Sequence, residues 1–147
     1  MSGAENREKS GEDMLKMRAV YSELPAVNTP LCSIDDVYNY MEYEAELIIE
    51  YGGRVFFCEE VAIVEFYWYI SRWYNAVSSG EKADFTYSTV EHTKPILTFT
   101  RSGDKTWVID SIWGKGSPVV VGERDLFEQA DWLTETLGAM FKSDKEY

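Results

Sequence analysis

The most pronounced amphipathic pattern in the chain lies between residues 59 and 77. Its apolar positions recur at steps of three and four, as on one face of a helix: Ile63, Phe66, Ile70, Trp73 and Val77. Dense aromatic and β-branched residues lower the intrinsic helix propensity, so we expect this helix to form because it packs against the rest of the chain. The charges of Glu59 and Glu60 suit its N-terminus, and Gly80 is expected to end it.

The strongest strand signal precedes this helix. Apolar and polar residues alternate from Tyr43 to Tyr51, and Gly52–Gly53 separates them from a second apolar run, Arg54–Cys58. A two-residue Gly–Gly connection predicts a tight hairpin, because both positions take positive φ. The predicted register has two core-side pairs and two outer-side pairs: Ile49 opposite Phe56, Leu47 opposite Cys58, then Glu50 opposite Val55 and Ile48 opposite Phe57.

Shorter patterns complete the chain. They predict a first strand that starts near Leu15, a short helix from Ser33 to about Met41, a three-stranded meander between residues 84 and 113, and a short strand at residues 119–121. A last helix is predicted from about Glu123 to Phe141, with one apolar stripe: Leu126, Ala130, Leu133, Leu137 and Phe141. This order indicates an α+β fold: a largely antiparallel sheet, made of the hairpin and the meander, packed against a central aromatic-rich helix and a C-terminal helix.

A chain of 147 residues is most simply one domain. We predict a disordered tail over residues 1–13, which are polar and charged, and a single α+β domain over residues 14–147. No apolar run reaches the ~20 residues that a membrane span needs, and the N-terminal residues lack the apolar stretch of a signal peptide. Two cysteines, Cys32 and Cys58, fit free thiols in a reducing cytoplasm, which is the expected location.

The net charge of −12 at pH 7 disfavours nucleic acid as a partner. The acids are concentrated between Asp35 and Glu60, where eight acids accompany a single base, Arg54. Glutamates that share a strand face with apolar residues fit a surface that docks a basic protein. Pairing across strands with Lys16 and Arg18 would instead make the same glutamates structural.

No residue pattern predicts catalysis. His92 is the only histidine and lies in a polar connection between two predicted strands, so neither a histidine-based nucleophilic site nor a metal site is expected. The segment 114–117 resembles a phosphate-binding loop only superficially, because its glycine spacing is wrong and Pro118 removes an N–H where a helix should begin. We therefore expect no cofactor, no metal and no enzymatic activity.

The central helix carries a second candidate face beside its apolar stripe. Trp68 and Arg72 are four residues apart and able to stack, and Tyr69 is adjacent. Exposed tryptophan, tyrosine and arginine are the side-chain types enriched at interface hot spots. The predicted partner-binding residues therefore come from the acidic segment and from this helix: Asp35, Asp36, Glu42, Glu44, Glu46, Glu50, Ile48, Phe57, Trp68, Tyr69 and Arg72.

Two strand motifs carry a resemblance to a known class of proteins. They are Pro95–Phe99 (PILTF) and Gly103–Trp113 (GDKTWVIDSIW), within a region of about residues 40–140. With the acidic, Trp/Tyr-rich α+β character of the chain, they resemble the small acidic immunity proteins of bacterial toxin systems. The resemblance implies tight binding and neutralisation of a cognate toxin, often a basic nuclease, inside the producing cell. It assigns no binding residue.

Two other interpretations stay open. The first is a small-molecule-binding or enzymatic domain whose pocket lies between sheet and helix. That pocket would be lined by aromatic residues with a buried carboxylate such as Asp110: Tyr67, Trp73, Tyr87 and Trp113. The second is a homo-oligomer that forms through a sheet edge.

Overall fold

The computed structural model describes residues 14–27, 30–88, 95–116 and 118–142. Within these ranges the strands are β1 (Leu15–Val20), β2 (Glu44–Tyr51), β3 (Arg54–Ala62), β4 (Phe85–Tyr87), β5 (Leu97–Arg101), β6 (Thr106–Asp110) and β7 (Val119–Gly122). The helices are α1 (Ile34–Tyr38), α2 (Ile63–Ser78) and α3 (Glu123–Phe141). The predicted tail, residues 1–13, and the predicted loop histidine His92 lie outside the described residues.

The strands form two antiparallel sheets, one of three strands in the order β1-β2-β3 and one of four in the order β4-β5-β6-β7. The predicted α+β class is confirmed, with the hairpin and the meander in separate sheets. The meander gains a fourth strand because β7 pairs with β6, placing Val121 opposite Trp107. Side chains from both sheets and the helices share one hydrophobic core.

The central helix α2 buries its predicted apolar stripe, each residue of which is at most 6% exposed. Trp73 lies at the centre of an aromatic cluster. Its ring centroid lies 5.4–6.0 Å from those of four aromatic side chains, all edge-to-face: Phe85, Phe99, Trp107 and Phe127. Its indole Nε1–H donates to the carbonyl oxygen of Ala83 at 2.9 Å, so the buried donor is satisfied.

The C-terminal helix α3 has the predicted bounds and buries its whole predicted stripe. Its first residue, Glu123, accepts hydrogen bonds from the Trp107 indole at 3.0 Å and from Arg101 at 2.6 Å. These contacts, the Trp107 hydrogen bond foremost, lower the pKa of the Glu123 carboxyl. Near the other end, Gly138 lets α3 approach α2 closely, because a Cβ there would lie 3.0 Å from the Tyr67 hydroxyl.

Helix α3 also covers the outer edge of the three-stranded sheet. The side-chain Oε1 of Gln129 accepts a hydrogen bond from the backbone N–H of Met17 at 2.9 Å. Met17 lies on β1, which has β2 on one side only. A side chain of α3 therefore occupies a backbone donor that a further strand would use.

The hairpin register differs from the prediction. Glycines 52 and 53 both have positive φ, as the turn requires, and Glu50 lies opposite Val55. Beyond that pair Phe56 is an extra residue on β3, so Ile49 lies opposite Phe57 and every later predicted pair is wrong. The bulge brings Phe56 against Gly114, where a Cβ would lie 2.5 Å from the ring, and the Phe56 carbonyl accepts the Lys115 N–H at 2.9 Å.

The start of the central helix was also predicted too early. Strand β3 stays paired with β2 as far as Ala62, which lies opposite Glu44, so Glu59 and Glu60 belong to the strand. The helix begins only at Ile63. Gly80, with φ of 101°, follows its end as expected.

The short helix α1 is present and ends at Tyr38, earlier than the predicted Met41. Its N-terminus is fixed by the carboxylate of Asp36. That carboxylate accepts the backbone N–H groups of Cys32 at 2.8 Å and of Ser33 at 3.0 Å. Asp36 therefore satisfies donors that the helix itself leaves unpaired.

Candidate functional site

Three exposed glutamates gather on the outer face of the three-stranded sheet. The alternation of β2 turns Glu44 and Glu46 away from the core, and Glu60 on β3 lies directly opposite Glu46. None of the three forms an ion pair with a described residue. We refer to Glu44, Glu46 and Glu60 as the acidic patch. Like charges directly opposite each other on a sheet are destabilising, so the patch opposes folding.

Because Glu46 and Glu60 repel each other, replacing Glu60 by lysine should stabilise the fold. We expect a gain of about 0.5 kcal/mol in the free energy of unfolding, since an opposite-charge pair replaces a like-charge pair. Urea unfolding followed by circular dichroism measures this. Glu81→Lys makes the same charge change at an exposed site on another part of the surface. A gain no larger than that of Glu81→Lys would contradict the repulsion.

The other end of the same face carries two basic residues beside its glutamate. Arg18 and Glu50 form an ion pair at 2.7 Å, and Lys16 lies directly opposite Glu50. Glu50 thus pairs with bases on β1, which is the structural role that the sequence allowed for the hairpin glutamates. Glu46 instead faces Val20, which is 48% exposed. The outer face therefore has two unlike ends. At one end Glu50 has basic partners, and at the other end the acidic patch has no ion-pair partner among the described residues and lies beside the exposed Val20.

The two apolar residues predicted for this surface are buried. Phe57 is fully buried, because the bulge at Phe56 turns it to the core beside Ile49 instead of opposite Ile48. Its ring lies 6.4 Å from that of Trp113. Ile48 is on the outer face but only 7% exposed. The prediction that Ile48 and Phe57 form an exposed apolar pair is wrong.

The thiol of Cys58 lies beside the acidic patch and opposite Ile48. Burial, followed by a hydrogen bond and the charge of Glu46, raises the pKa of this thiol. The thiolate is the reactive form of cysteine, so a raised pKa makes the Cys58 thiol less reactive. Together with the exposed Cys32, it is a free cysteine.

The remaining predicted residues lie on other elements. Asp35 and Glu42 are exposed, whereas Asp36 is engaged at the start of α1. On α2 the guanidinium carbon of Arg72 lies 4.7 Å from the Trp68 ring centroid, as the four-residue spacing predicted. The Tyr69 ring packs edge-on against Trp68 at 5.2 Å.

The structure separates this aromatic face from the acidic patch. Trp68 and Arg72 line a cleft with the C-terminal helix and residues near Leu31, none of which belongs to the three-stranded sheet. The predicted partner-binding residues are therefore distributed over the three-stranded sheet, α1 with the turn that follows it, and α2, and of them only Trp68 and Arg72 line this cleft.

A buried carboxyl group was not predicted. Glu65 on α2 is 2% exposed, and its Oε1 accepts a hydrogen bond from the Tyr87 hydroxyl at 3.0 Å. Burial raises the pKa of Glu65, and the Tyr87 hydrogen bond partly opposes that shift. The sequence indicated this burial only through the position of Glu65, which lies eight residues before the buried Trp73 and so shares its side of the helix.

The pocket expected between sheet and helix does not form from the expected residues. Trp73 and Tyr87 are packed in the core, and the proposed buried carboxylate, Asp110, is exposed. Among the described residues, no group of three potential metal ligands gathers, and no helix is long and apolar enough to cross a membrane.

The fold and these surfaces define a class: a small acidic α+β domain with two antiparallel sheets and a carboxylate-bearing outer face. The chain belongs to the family described as Domain of unknown function (DUF7878), whose model matches residues 29–142. The match includes β2 and β3, and with them the acidic patch. No curated protein and no solved structure matches the chain.

Proposed function

We propose that this protein is a non-enzymatic immunity protein that binds and neutralises a cognate basic bacterial toxin, such as a nuclease domain, in the cytoplasm of the producing cell. The observation that carries the proposal is the acidic patch. Glu46 and Glu60 are exposed, directly opposed and without an ion-pair partner among the described residues.

A like-charge pair across strands costs stability, and the same sheet avoids that cost elsewhere. Four residues from Glu46 on the same strand, Glu50 forms an ion pair with Arg18. A basic protein that docks on Glu44, Glu46 and Glu60 would remove the repulsion on binding. The repulsion between Glu46 and Glu60 in the free protein therefore makes the binding free energy more favourable.

The charge of the whole molecule supports the same kind of partner. A net charge of −12 attracts a basic protein over a distance, and the acidic patch orients it at close range. Val20 beside Glu46 gives the patch an exposed apolar neighbour. Asp35 and Glu42 stay predicted contacts because they are exposed, whereas Phe57 is withdrawn because a fully buried side chain cannot touch a docked protein.

The test is the triple variant Glu44→Gln, Glu46→Gln, Glu60→Gln, used as bait beside the wild type in extracts of the source organism. The wild type should retain a basic protein whose toxic activity it blocks, and the triple variant should lose it. With the purified pair, surface plasmon resonance should show an association rate about tenfold lower for the variant at low salt. Added salt should reduce the wild-type rate more steeply than the variant rate.

The matched control is Glu81→Gln, Asp104→Asn, Glu135→Gln, which removes three exposed acids from other elements. It has the same net charge as the test variant, so a difference between the two reports the acidic patch itself. Equal association rates for the two variants would show that the acidic patch acts only through its contribution to the net charge. Capture of a partner that is not basic, or whose activity is unaffected by binding, would refute the proposed function.

A further inference from the structure

A cleft of about 530 Å³ lies between the last turn of α3, the middle of α2 and the segment that precedes α1. This volume is in the range of small-molecule sites in proteins. Its apolar walls are Val27, Leu31, Phe141 and the Trp68 ring. The walls are fixed by packing, since the Phe141 ring lies edge-on against that of Tyr67 at 5.1 Å.

Trp68, one of the residues that line the cleft, has an indole N–H that lacks an acceptor. The Nε1 of Trp68 is buried, yet it has no hydrogen-bond partner among the described residues. An indole N–H is a donor only, so it can be satisfied only by an acceptor. Buried donors in native proteins are nearly always paired, so this unpaired N–H is an exception, and it belongs to a side chain that lines the cleft.

Among the described residues, the charged side chains that line the cleft are both cationic: Arg72 and Lys142. By contrast, the whole chain has a net charge of −12, and three of the described arginines pair with glutamates: Arg18, Arg101 and Arg124. Arg72 forms no ion pair with a described acid.

Of the two cations, Arg72 is the better anchor for an anion. Its guanidinium carbon lies over the Trp68 ring, 4.7 Å from the centroid, and this contact holds the guanidinium beside the indole. The planar fork of arginine matches the two oxygens of a carboxylate. Lys142 lies at the carbonyl end of α3, whose partial negative charge offsets part of its own.

We propose that this cleft binds a small organic carboxylate with an apolar body. The carboxylate pairs with Arg72, which lies over the Trp68 ring, and the apolar body fills the space between Leu31 and Phe141. The site is separate from the acidic patch and has the opposite charge, so the inference stands independently of the proposed function.

The test is an NMR titration that follows the indole N–H signals of ¹⁵N-labelled protein, with the Trp68 signal assigned from Trp68→Phe. The probes are 3-phenylpropionate, its neutral amide and inorganic phosphate. The carboxylate should shift the Trp68 indole signal saturably, with a dissociation constant below about 10 mM. The amide, which lacks the charge, and phosphate, which lacks the apolar body, should each bind about tenfold more weakly.

Arg72→Gln should weaken the binding of 3-phenylpropionate about tenfold. Arg124→Gln, at an exposed arginine near the opposite end of α3, should leave it unchanged, and circular dichroism checks that both variants fold. Equal affinity for the acid and the amide, equal affinity for phosphate, equal effects of the two arginine variants, or an unmoved Trp68 signal would each overturn the proposal.

Discussion

Replacing Trp73 by alanine should lower the free energy of unfolding by about 3–5 kcal/mol, the usual cost of truncating a buried tryptophan. Trp73 is 6% exposed and contacts aromatic side chains from both the second sheet and α3. Truncation would leave a cavity where these elements meet α2. It would also leave the carbonyl of Ala83 without its indole donor.

Urea unfolding followed by far-ultraviolet circular dichroism measures this loss without relying on tryptophan fluorescence. The matched control is Trp132→Ala on α3, because Trp132 is 50% exposed and its loss should change stability by no more than about 0.5 kcal/mol. Similar losses for the two variants would show that the aromatic cluster around Trp73 does not hold the sheet and the helices together.

Replacing Tyr87 by phenylalanine should lower the free energy of unfolding by about 1–3 kcal/mol at neutral pH. The change removes the hydroxyl that donates to Glu65 and leaves the buried Glu65 carboxyl group without that bond. The loss should shrink as the pH falls and Glu65 becomes protonated. Tyr38→Phe removes a hydroxyl from a tyrosine that is 45% exposed, and should have almost no effect.

The pH dependence of Glu65 gives a second measurement of the same site. Its pKa in the folded protein is raised above the ordinary value of 4.5. Between those two values the folded state binds more protons than the unfolded state, so this group's contribution to stability falls as the pH rises. Glu65→Gln removes the contribution, and the stability of the variant relative to wild type should therefore increase from pH 4.5 upward.

Groups common to both proteins cancel in this comparison, including Glu123, whose lowered pKa acts in the opposite direction. A stability difference between Glu65→Gln and wild type that stays constant with pH would contradict a raised pKa for Glu65. A Tyr87→Phe loss that is equal at acidic and neutral pH would contradict the role of the ionised carboxylate.

The sequence predicted best the elements whose pattern is long and regular. The apolar stripe of α3 extends from Leu126 to Phe141, about four helical turns, and the structure buries each of its residues. The bulge at Phe56 could not be predicted, because it depends on Gly114 and Lys115, more than fifty residues away. The start of α2 was predicted too early because it also depends on a contact elsewhere in the chain. Pairing with β2 keeps Glu60 in a strand, although its charge suits a helix N-terminus.

The candidate surfaces were predictable to different degrees. Strand alternation alone places Glu44 and Glu46 on one face, and helical spacing alone predicts that Arg72 stacks on Trp68. The opposition of Glu46 and Glu60 follows only from the observed register. The cleft could not be predicted from the sequence, because its walls include segments that are more than a hundred residues apart in the chain.

The contact between Gln129 and the edge of β1 also bears on how this protein behaves at high concentration. A strand with open backbone donors is a template for a strand of another molecule, and such pairing leads to aggregation. Because Gln129 occupies the Met17 N–H, a second molecule would first have to displace a helix that is anchored in the core. The Gln129 side chain thus hinders strand pairing between molecules at the β1 edge of the sheet.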